Sequence, residues 1–438
     1  MTFIYVNAPL LVLLFYLTIV RVKALPKLIS EVDGSSLHQN AVEVLVIVDK
    51  EAYTRWLGFQ NETLSEEERD EEAVYAINDY VRATIAAANL IWKGMEEHGV
   101  HLDLRIQDIR IIKDDVIVTP RADGKTAMND DAFWDFFHWL VRNGFEYDHA
   151  ILFTGLDLLS QYGNNPEGYA YINTMCTVES LSLVEALPNG IPAVVTAHEM
   201  AHALGADHDG YRNNCSSDSG YIMNSNNIGI APLHWRFSQC SADRIKAKLD
   251  ELQDFHDCVS EDSGTRSEPL DAPYLGQLYS ADELCQMTEG SHSYVCRHLY
   301  SPGSSENPSD MCQTLWCLVN ATYCNGIAPV DGTPCGAGKR CLGGECVQFD
   351  DVPDRVTDEC YTGDMPHPVW NNQTCEEVVS SYTHMCLDQY YIDFCCGTCR
   401  DFRTGNDVCP YGDAHDRCAW YWCGTEWEDQ CCETCPPQ

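Results

Sequence analysis

From Ala41 to Val48 the chain reads Ala-Val-Glu-Val-Leu-Val-Ile-Val, an apolar, β-branched run of the length of a buried strand. Between Glu71 and Glu97, the residues Val74, Ile77, Val81, Ile85, Ala88 and Trp92 recur at intervals of three and four, which predicts an amphipathic helix. The acidic stretch Ser65 to Glu72 just before it reads as a solvated helix start, where negative charge meets the positive end of the helix dipole. Leu102–Ile112 and Ala150–Phe153 predict further strands, and Phe133–Val141 a further helix. Strands and helices in this alternation predict a normally packed α/β domain over residues 41–262.

Beyond it the pattern changes. Glu261 to Asp271 is built from Ser, Glu, Asp, Gly and Pro, the composition of a linker. Residues 263–348 hold eight cysteines, Cys285 to Cys346, and end in the turn-rich tail Asp331-Gly-Thr-Pro-Cys-Gly-Ala-Gly-Lys-Arg-Cys-Leu-Gly-Gly-Glu-Cys346. After the acidic stretch Phe349 to Asp358 the chain repeats itself: Cys360, Cys375, Cys386, Cys395, Cys396 and Cys399 are echoed by Cys409, Cys418, Cys423, Cys431, Cys432 and Cys435. Both halves close with Cys-Cys-x-x-Cys, so residues 349–400 and 401–438 read as two copies of one six-cysteine module. Each is too small to fold without its bridges.

Composition adds the compartment. Of 438 residues, 27 are Lys or Arg and 67 Asp or Glu, a net charge of −40. That balance excludes ordinary nucleic-acid binding, which needs a basic surface. The 24 cysteines are an even number, and none precedes Cys176, as expected of disulfide scaffolds made in an oxidising compartment; structural zinc knuckles are the alternative. Leu10 to Val20 is apolar but short for a bilayer, and Val22-Lys-Ala24 follows as a small-residue cleavage pattern. Residues 1–24 therefore read as a signal peptide, with an uncleaved signal anchor as the second reading because the n-region lacks Lys or Arg. No later stretch reads as a transmembrane anchor. The expected location is extracellular.

The chemistry sits in Thr196-Ala-His-Glu-Met-Ala-His-Ala-Leu-Gly-Ala-Asp-His-Asp-Gly210. His198 and His202 are four residues apart, which puts two imidazoles on one helix face where they can share a zinc ion. Glu199 falls beside the metal, placed to take a proton from water and pass it to a leaving amine. Gly205 lets the chain leave the helix and carries His208 round as third ligand. Three protein ligands leave one zinc position open, as catalysis requires.

His-Glu-x-x-His-x-x-Gly-x-x-His-Asp with a following methionine turn, Tyr221-Ile-Met-Asn224, resembles the metzincin signature. Asp209 directly after the third histidine resembles the adamalysin (reprolysin) branch, to which ADAM and ADAMTS proteases belong. Asp148-His-Ala-Ile-Leu-Phe-Thr154, Met175-Cys176, Phe237-Ser-Gln-Cys-Ser241 and Cys258 match as well. The resemblance implies an α/β fold: a metzincin catalytic domain of mixed sheet plus helices with a zinc cleft, followed by small disulfide-rich modules. It implies Met223 as the hydrophobic floor under the zinc, and Asn224 to Ile228 as part of the substrate pocket wall. It further implies a structural calcium at Glu43, Asp148 and the backbone near Cys258. The same resemblance pairs Cys176 with Cys258 and Cys215 with Cys240, one of three connectivities open to four cysteines.

The eight-cysteine block, with Leu315-Trp-Cys317 and its Asp331-Gly-Thr-Pro-Cys335 tail, resembles the disintegrin-like module of ADAMTS proteases, without an Arg-Gly-Asp triplet or a thrombospondin repeat. The terminal repeats resemble PLAC modules, and the shortened second copy is also similar to ShK-type folds. Relatives carry a long propeptide, whereas residues 25–40 form only a short segment before the first strand. Either latency is handled differently or the sequence is a truncated or alternative product. Asn61, Asn320 and Asn372 head Asn-x-Thr triplets and are expected glycosylation acceptors; Asn214 fits too, with Cys215 inside its triplet.

These observations lead to a secreted zinc metalloendopeptidase that cuts extracellular protein, with cysteine-rich modules holding it on substrate or matrix. The alternative is an extracellular matrix- or channel-binding cysteine-rich protein with an inactive protease scaffold.

Overall fold

The computed structural model describes residues 40–163, 165–225, 234–255, 257–259, 272–300, 311–320, 322–353, 356–414, 417–425 and 431–435. The expected signal peptide, the segment 25–39, the whole linker 261–271 and positions 226–228 of the expected pocket wall lie outside them.

The first strand, β1 (Asn40–Val48), is buried at all nine positions, as expected of a central strand covered on both faces. Asp49 ends it and caps α1 (Lys50–Phe59) by accepting the Ala52 N–H at 2.8 Å. The helix expected from Glu71 begins earlier, as α2 (Glu66–Lys93). Its start is fixed by a reciprocal box in which the Ser65 hydroxyl accepts the Glu68 N–H and the Glu68 carboxylate accepts the Ser65 N–H. The acidic patch is thus the capped, solvated helix end that its composition implied.

Then come β2 (Leu102–Ile111), β3 (Thr126–Met128), α3 (Asn129–Asn143), β4 (His149–Thr154), β5 (Asp157–Leu159), β6 (Gly168–Ala170), β7 (Leu181–Glu185), α4 (Ile191–Ala203) and α5 (Gln239–Phe255). The main sheet has the order β2-β1-β4-β7-β6. Its first four strands run parallel, and β6 pairs with β7 antiparallel as an edge strand. Val42, Val44, Val46 and Val48 of β1 face a core shared with α2 and α4. Leu45 and Ile47 face a second core shared with α3. The expected mixed sheet plus helices is therefore present, and the structure adds that helices cover both of its faces.

The first core does not stop at the end of the α/β domain. It continues through Leu275, Leu284, Cys285, Val295, Tyr300, Met311, Leu315, Cys317, Ile327 and Val330 of the cysteine-rich block. That block contains α6 (Leu275–Leu278), α7 (Ala281–Glu289), the antiparallel sheet of β8 (Tyr294–Val295), β9 (Leu315–Val319) and β10 (Tyr323–Ile327), and a second one of β11 (Pro334–Gly336), β12 (Lys339–Leu342) and β13 (Glu345–Gln348).

All cysteines are in disulfides, which removes the zinc-knuckle alternative. Cys176 is joined to Cys258 and Cys215 to Cys240. In the terminal repeats the pairs are Cys360–Cys396, Cys375–Cys395 and Cys386–Cys399, then Cys409–Cys432, Cys418–Cys431 and Cys423–Cys435. Numbered in order, both repeats join first to fifth, second to fourth and third to sixth cysteine. Among the described residues no helix is long and apolar enough to cross a membrane.

Candidate metal centre

α4 starts after Gly190 with Pro192 in its first turn, where a missing N–H breaks no helical bond. From Pro192 to Ala203 every residue is buried, the signature of a helix enclosed by core on all sides. His198 and His202 leave it one turn apart. Gly205 adopts φ +88°, a conformation that side-chain-bearing residues rarely take, and the loop beyond it returns His208 to the other two. The three Nε2 atoms lie 3.1 Å from one another.

The far side of each helix-borne ring decides what those nitrogens can do. His198 Nδ1 stands 2.7 Å from the Ile222 carbonyl, and His202 Nδ1 stands 2.8 Å from the Ala206 carbonyl. A carbonyl only accepts, so Nδ1 carries the proton in both rings and the Nε2 lone pairs face inward. Burial, reinforced by the neighbouring imidazoles, holds His198 well below the usual histidine range and brings His202 down to about 4. Burial lowers His208 too, although Asp207 and Asp209 oppose the shift. The trio is neutral at physiological pH, the state in which imidazole binds metal. Three points 3.1 Å apart lie on a circle of radius about 1.8 Å, shorter than the Zn–N bond of about 2.0–2.1 Å. The three nitrogens are therefore spaced so that one zinc ion could be held by His198, His202 and His208 together.

Glu199 is 5% exposed. Burial pushes its carboxyl well above the ordinary range, opposed by a hydrogen bond from the Ala170 backbone. Strand β6 passes so close that a Cβ on Gly168 would overlap Val195 and sit 2.8 Å from Glu199 Oε1. Position 168 must be glycine for edge strand and carboxylate to share this space. A cleft of about 590 Å³ opens here, walled by Gly168, Tyr169 and Ala170 on one side and by His198, Glu199, His202, His208, Tyr211 and Asn224 elsewhere.

Met223 is fully buried, and its carbonyl accepts the Asp209 N–H at 2.8 Å. The Asp209 carboxylate in turn accepts the Ser238 hydroxyl at 2.7 Å. The residue after the third ligand is thus tied to the methionine turn and to the entry of α5. Glu43 and Asp148 are brought together elsewhere: the Glu43 N–H donates to Asp148 Oδ2 at 3.0 Å. Burial first and the Glu43 charge second push Asp148 up to about 6. Among the described residues, clusters of three or more His, Cys, Asp or Glu ligand atoms within 4.8 Å of one another do not include this pair. Cys258 lies in a short turn, Asp257–Val259, packed beside β1.

Sequence reasoning missed Gly168 and the two orienting carbonyls. Gly168 carries no motif and lies thirty residues before His198. A backbone carbonyl leaves no trace in residue identity.

A family model described as reprolysin (M12B) family zinc metalloprotease matches residues 41–261, half of the chain. The chain belongs to the reprolysin family of zinc metalloproteases. A second family model, ADAMTS cysteine-rich domain 2, matches residues 275–347, a range that contains the eight cysteines Cys285 to Cys346. Among curated relatives, mouse "A disintegrin and metalloproteinase with thrombospondin motifs 7" is 34% identical over 219 residues, covering 48% of this chain and 12% of the relative. The human protein with thrombospondin motifs 6 is 30% identical, covering 62% of this chain and 24% of the relative. The human protein with thrombospondin motifs 16 is 26% identical over 406 residues, covering 86% and 29%. The chain spans less than a third of the length of these relatives.

Proposed function

We propose that the protein is a secreted zinc endopeptidase that hydrolyses peptide bonds of extracellular proteins. The observation that carries this reading is the convergence of three neutral, inward-facing imidazoles with a buried carboxylate at the floor of a cleft bordered by a sheet edge. Zinc, held by His198, His202 and His208, would supply Lewis-acid polarisation of a carbonyl and acidification of a water.

The protein's own groups do the rest. Edge strand β6 is the side of the sheet on which an extended peptide can add main-chain hydrogen bonds. Ile222 and Ala206 hold the imidazoles in the tautomer that leaves Nε2 free. Glu199, in an apolar setting that favours its neutral form, accepts a proton and returns it to the departing amine. Asn224, at the end of the methionine turn, lines the cleft and takes part in choosing the side chain that enters it.

Glu43 and Asp148 supply hard oxygen ligands for a structural calcium with the backbone near Cys258; bringing the two carboxylates together is costly without a cation. Asn61, Asn320 and Asn372 are all exposed, as acceptors of N-glycans must be. Boundaries at residues 262, 348 and 400 divide the chain into catalytic domain, cysteine-rich block and two terminal repeats. The block and repeats would hold the enzyme on its substrate or on matrix.

The test is cleavage of gelatin or a quenched peptide library by the full chain and by Glu199→Ala, each with and without a zinc chelator. Activity abolished by both is expected. A folded, zinc-loaded protein that cleaves nothing would refute the reading and move the function to the cysteine-rich half.

A further inference from the structure

The cysteine-rich block reaches the hydrogen bonds that orient a metal ligand. The Ile222 carbonyl that fixes His198 belongs to a residue whose own N–H donates to the Arg236 carbonyl at 3.0 Å. Arg236 and its neighbour Trp235 are gripped from the turn between β12 and β13. The Trp235 indole lies so close to Gly344 that a Cβ there would sit 2.5 Å from Cδ1 and 2.7 Å from Nε1. Beside it, Arg236 Nη2 lies 2.8 Å from Glu345 Oε1.

The same block also holds the start of α4. The Gly190 N–H donates to the Ala328 carbonyl at 3.1 Å, and a Cβ on Gly190 would overlap the Pro329 carbonyl. Trp235, Gly190 and Ala193 meet Leu275, Val330 and Asp331 around one small cavity. Both supports of His198, its helix and its carbonyl acceptor, thus rest on residues from beyond the catalytic domain. The Arg236–Glu345 pair is half exposed on both sides, and such pairs contribute little. The close packing of Trp235 on Gly344 carries the contact.

We propose that Trp235 is a positioning residue, through which Gly344 of the cysteine-rich block sets the orientation of His198 and hence the affinity for zinc. The inference rests on the metal-centre reading above and adds a role for the block besides holding substrate.

Two adjacent glycines provide the test. Gly343 and Gly344 both have positive φ, +56° and +79°, so alanine strains the backbone at either. Only at 344 does the new methyl meet Trp235; at 343 nothing lies within 4 Å. Zinc affinity is measured on the full chain by competition with a fluorescent chelator, alongside kcat and KM on one peptide. Gly344→Ala is expected to weaken zinc binding on the order of 10-fold, the usual effect of disturbing a ligand's orienting partner, and to lower kcat with KM unchanged. Gly343→Ala is expected to keep wild-type zinc affinity.

Equal zinc affinities for the two alanine variants would overturn the proposal. If Gly344→Ala does not fold, Trp235→Ala carries the same test: reduced zinc affinity supports positioning and wild-type affinity refutes it. A wild type that binds zinc but cleaves no peptide would refute the endopeptidase reading alone, since the zinc comparison still decides this one.

Discussion

Asp331 makes the stability of this protein depend on pH in a direction that can be worked out. It lies in the cysteine-rich block with 4% of its surface exposed. One carboxylate oxygen accepts the Gly343 N–H at 2.7 Å, and the other has no protein partner. Of the polar groups nearby, Arg340 directs its guanidinium at the carbonyls of Gly332 and Asp351, and the Tyr274 phenol is pushed up in part by the Asp331 charge. Burial therefore goes uncompensated and raises Asp331 from 3.8 to about 7. The native state holds this proton more tightly than the unfolded chain, so the contribution of Asp331 to stability is greatest below pH 3.8 and is lost as pH rises through about 7. A shift of that size opposes folding by up to about 4 kcal/mol once the group is ionised. Asp331→Asn keeps an acceptor for Gly343, replaces the partnerless oxygen by an amide and removes the titration. Unfolding midpoints of the two proteins, in heat or urea from pH 4 to pH 8, are expected to coincide at the acid end. The variant should pull ahead by several degrees or more above neutrality. A gap that is the same at every pH would refute the reasoning, because only a titrating carboxylate makes the gap grow.

Four other outcomes follow from particular contacts. Arg297 is fully buried, pairs in two-pronged fashion with Asp282, and donates to the carbonyls of Thr362, Gly363 and Asp364 in the first terminal repeat. Arg297→Leu strands the Asp282 carboxylate at a cost of about 3–5 kcal/mol; limited proteolysis should then release the terminal repeats with zinc binding intact, and unchanged resistance would contradict this. His149 is buried between the Ser180 and Ser182 hydroxyls, each 3.0 Å away, and burial holds it down at about 3. Stability should fall as pH drops from 6.5 towards 3, and His149→Gln should flatten that acid limb in an unfolding series. Gly168→Val forces β6 away from Glu199; kcat/KM should fall about 100-fold, as for misplaced catalytic groups generally, while zinc affinity stays at the wild-type value. Calcium added to the zinc-loaded protein should raise its melting temperature, and Glu43→Gln with Asp148→Asn should abolish that rise.

What could be read in the sequence, and what could not, divides along the physics of locality. His198, His202, Gly205 and His208 fall within eleven residues, so helix periodicity and one glycine turn suffice to bring them together. The strand at β1 and the long helix α2 were likewise visible because burial imposes its period on residue type. The contacts that tune the centre join distant segments: Gly168 to Glu199, Arg236 to Ile222, Gly344 to Trp235. Two of the three involve glycines whose importance is the absence of a side chain, and the other is backbone to backbone. The core running from α4 into the cysteine-rich block is hidden for the same reason, since a change in cysteine density marks a boundary of composition and not of packing.

The terminal repeats carry this one step further. Their cysteine spacing differs, fifteen residues from Cys360 to Cys375 against nine from Cys409 to Cys418, yet their connectivity is the same. An acidic clamp is shared as well. Asp364 accepts the Thr398 N–H and hydroxyl, and Asp413 accepts the same two groups of Thr434. Each aspartate closes a Cys-x-x-Gly-Asp run, and each threonine sits inside the terminal Cys-Cys-x-Thr-Cys. The clamp holds the start of the module against its end whatever the loop between them does. In both copies the first cysteine is bridged to the fifth next to this clamp, and the shortened loop of the second copy reduces its size but not its pattern of bridges.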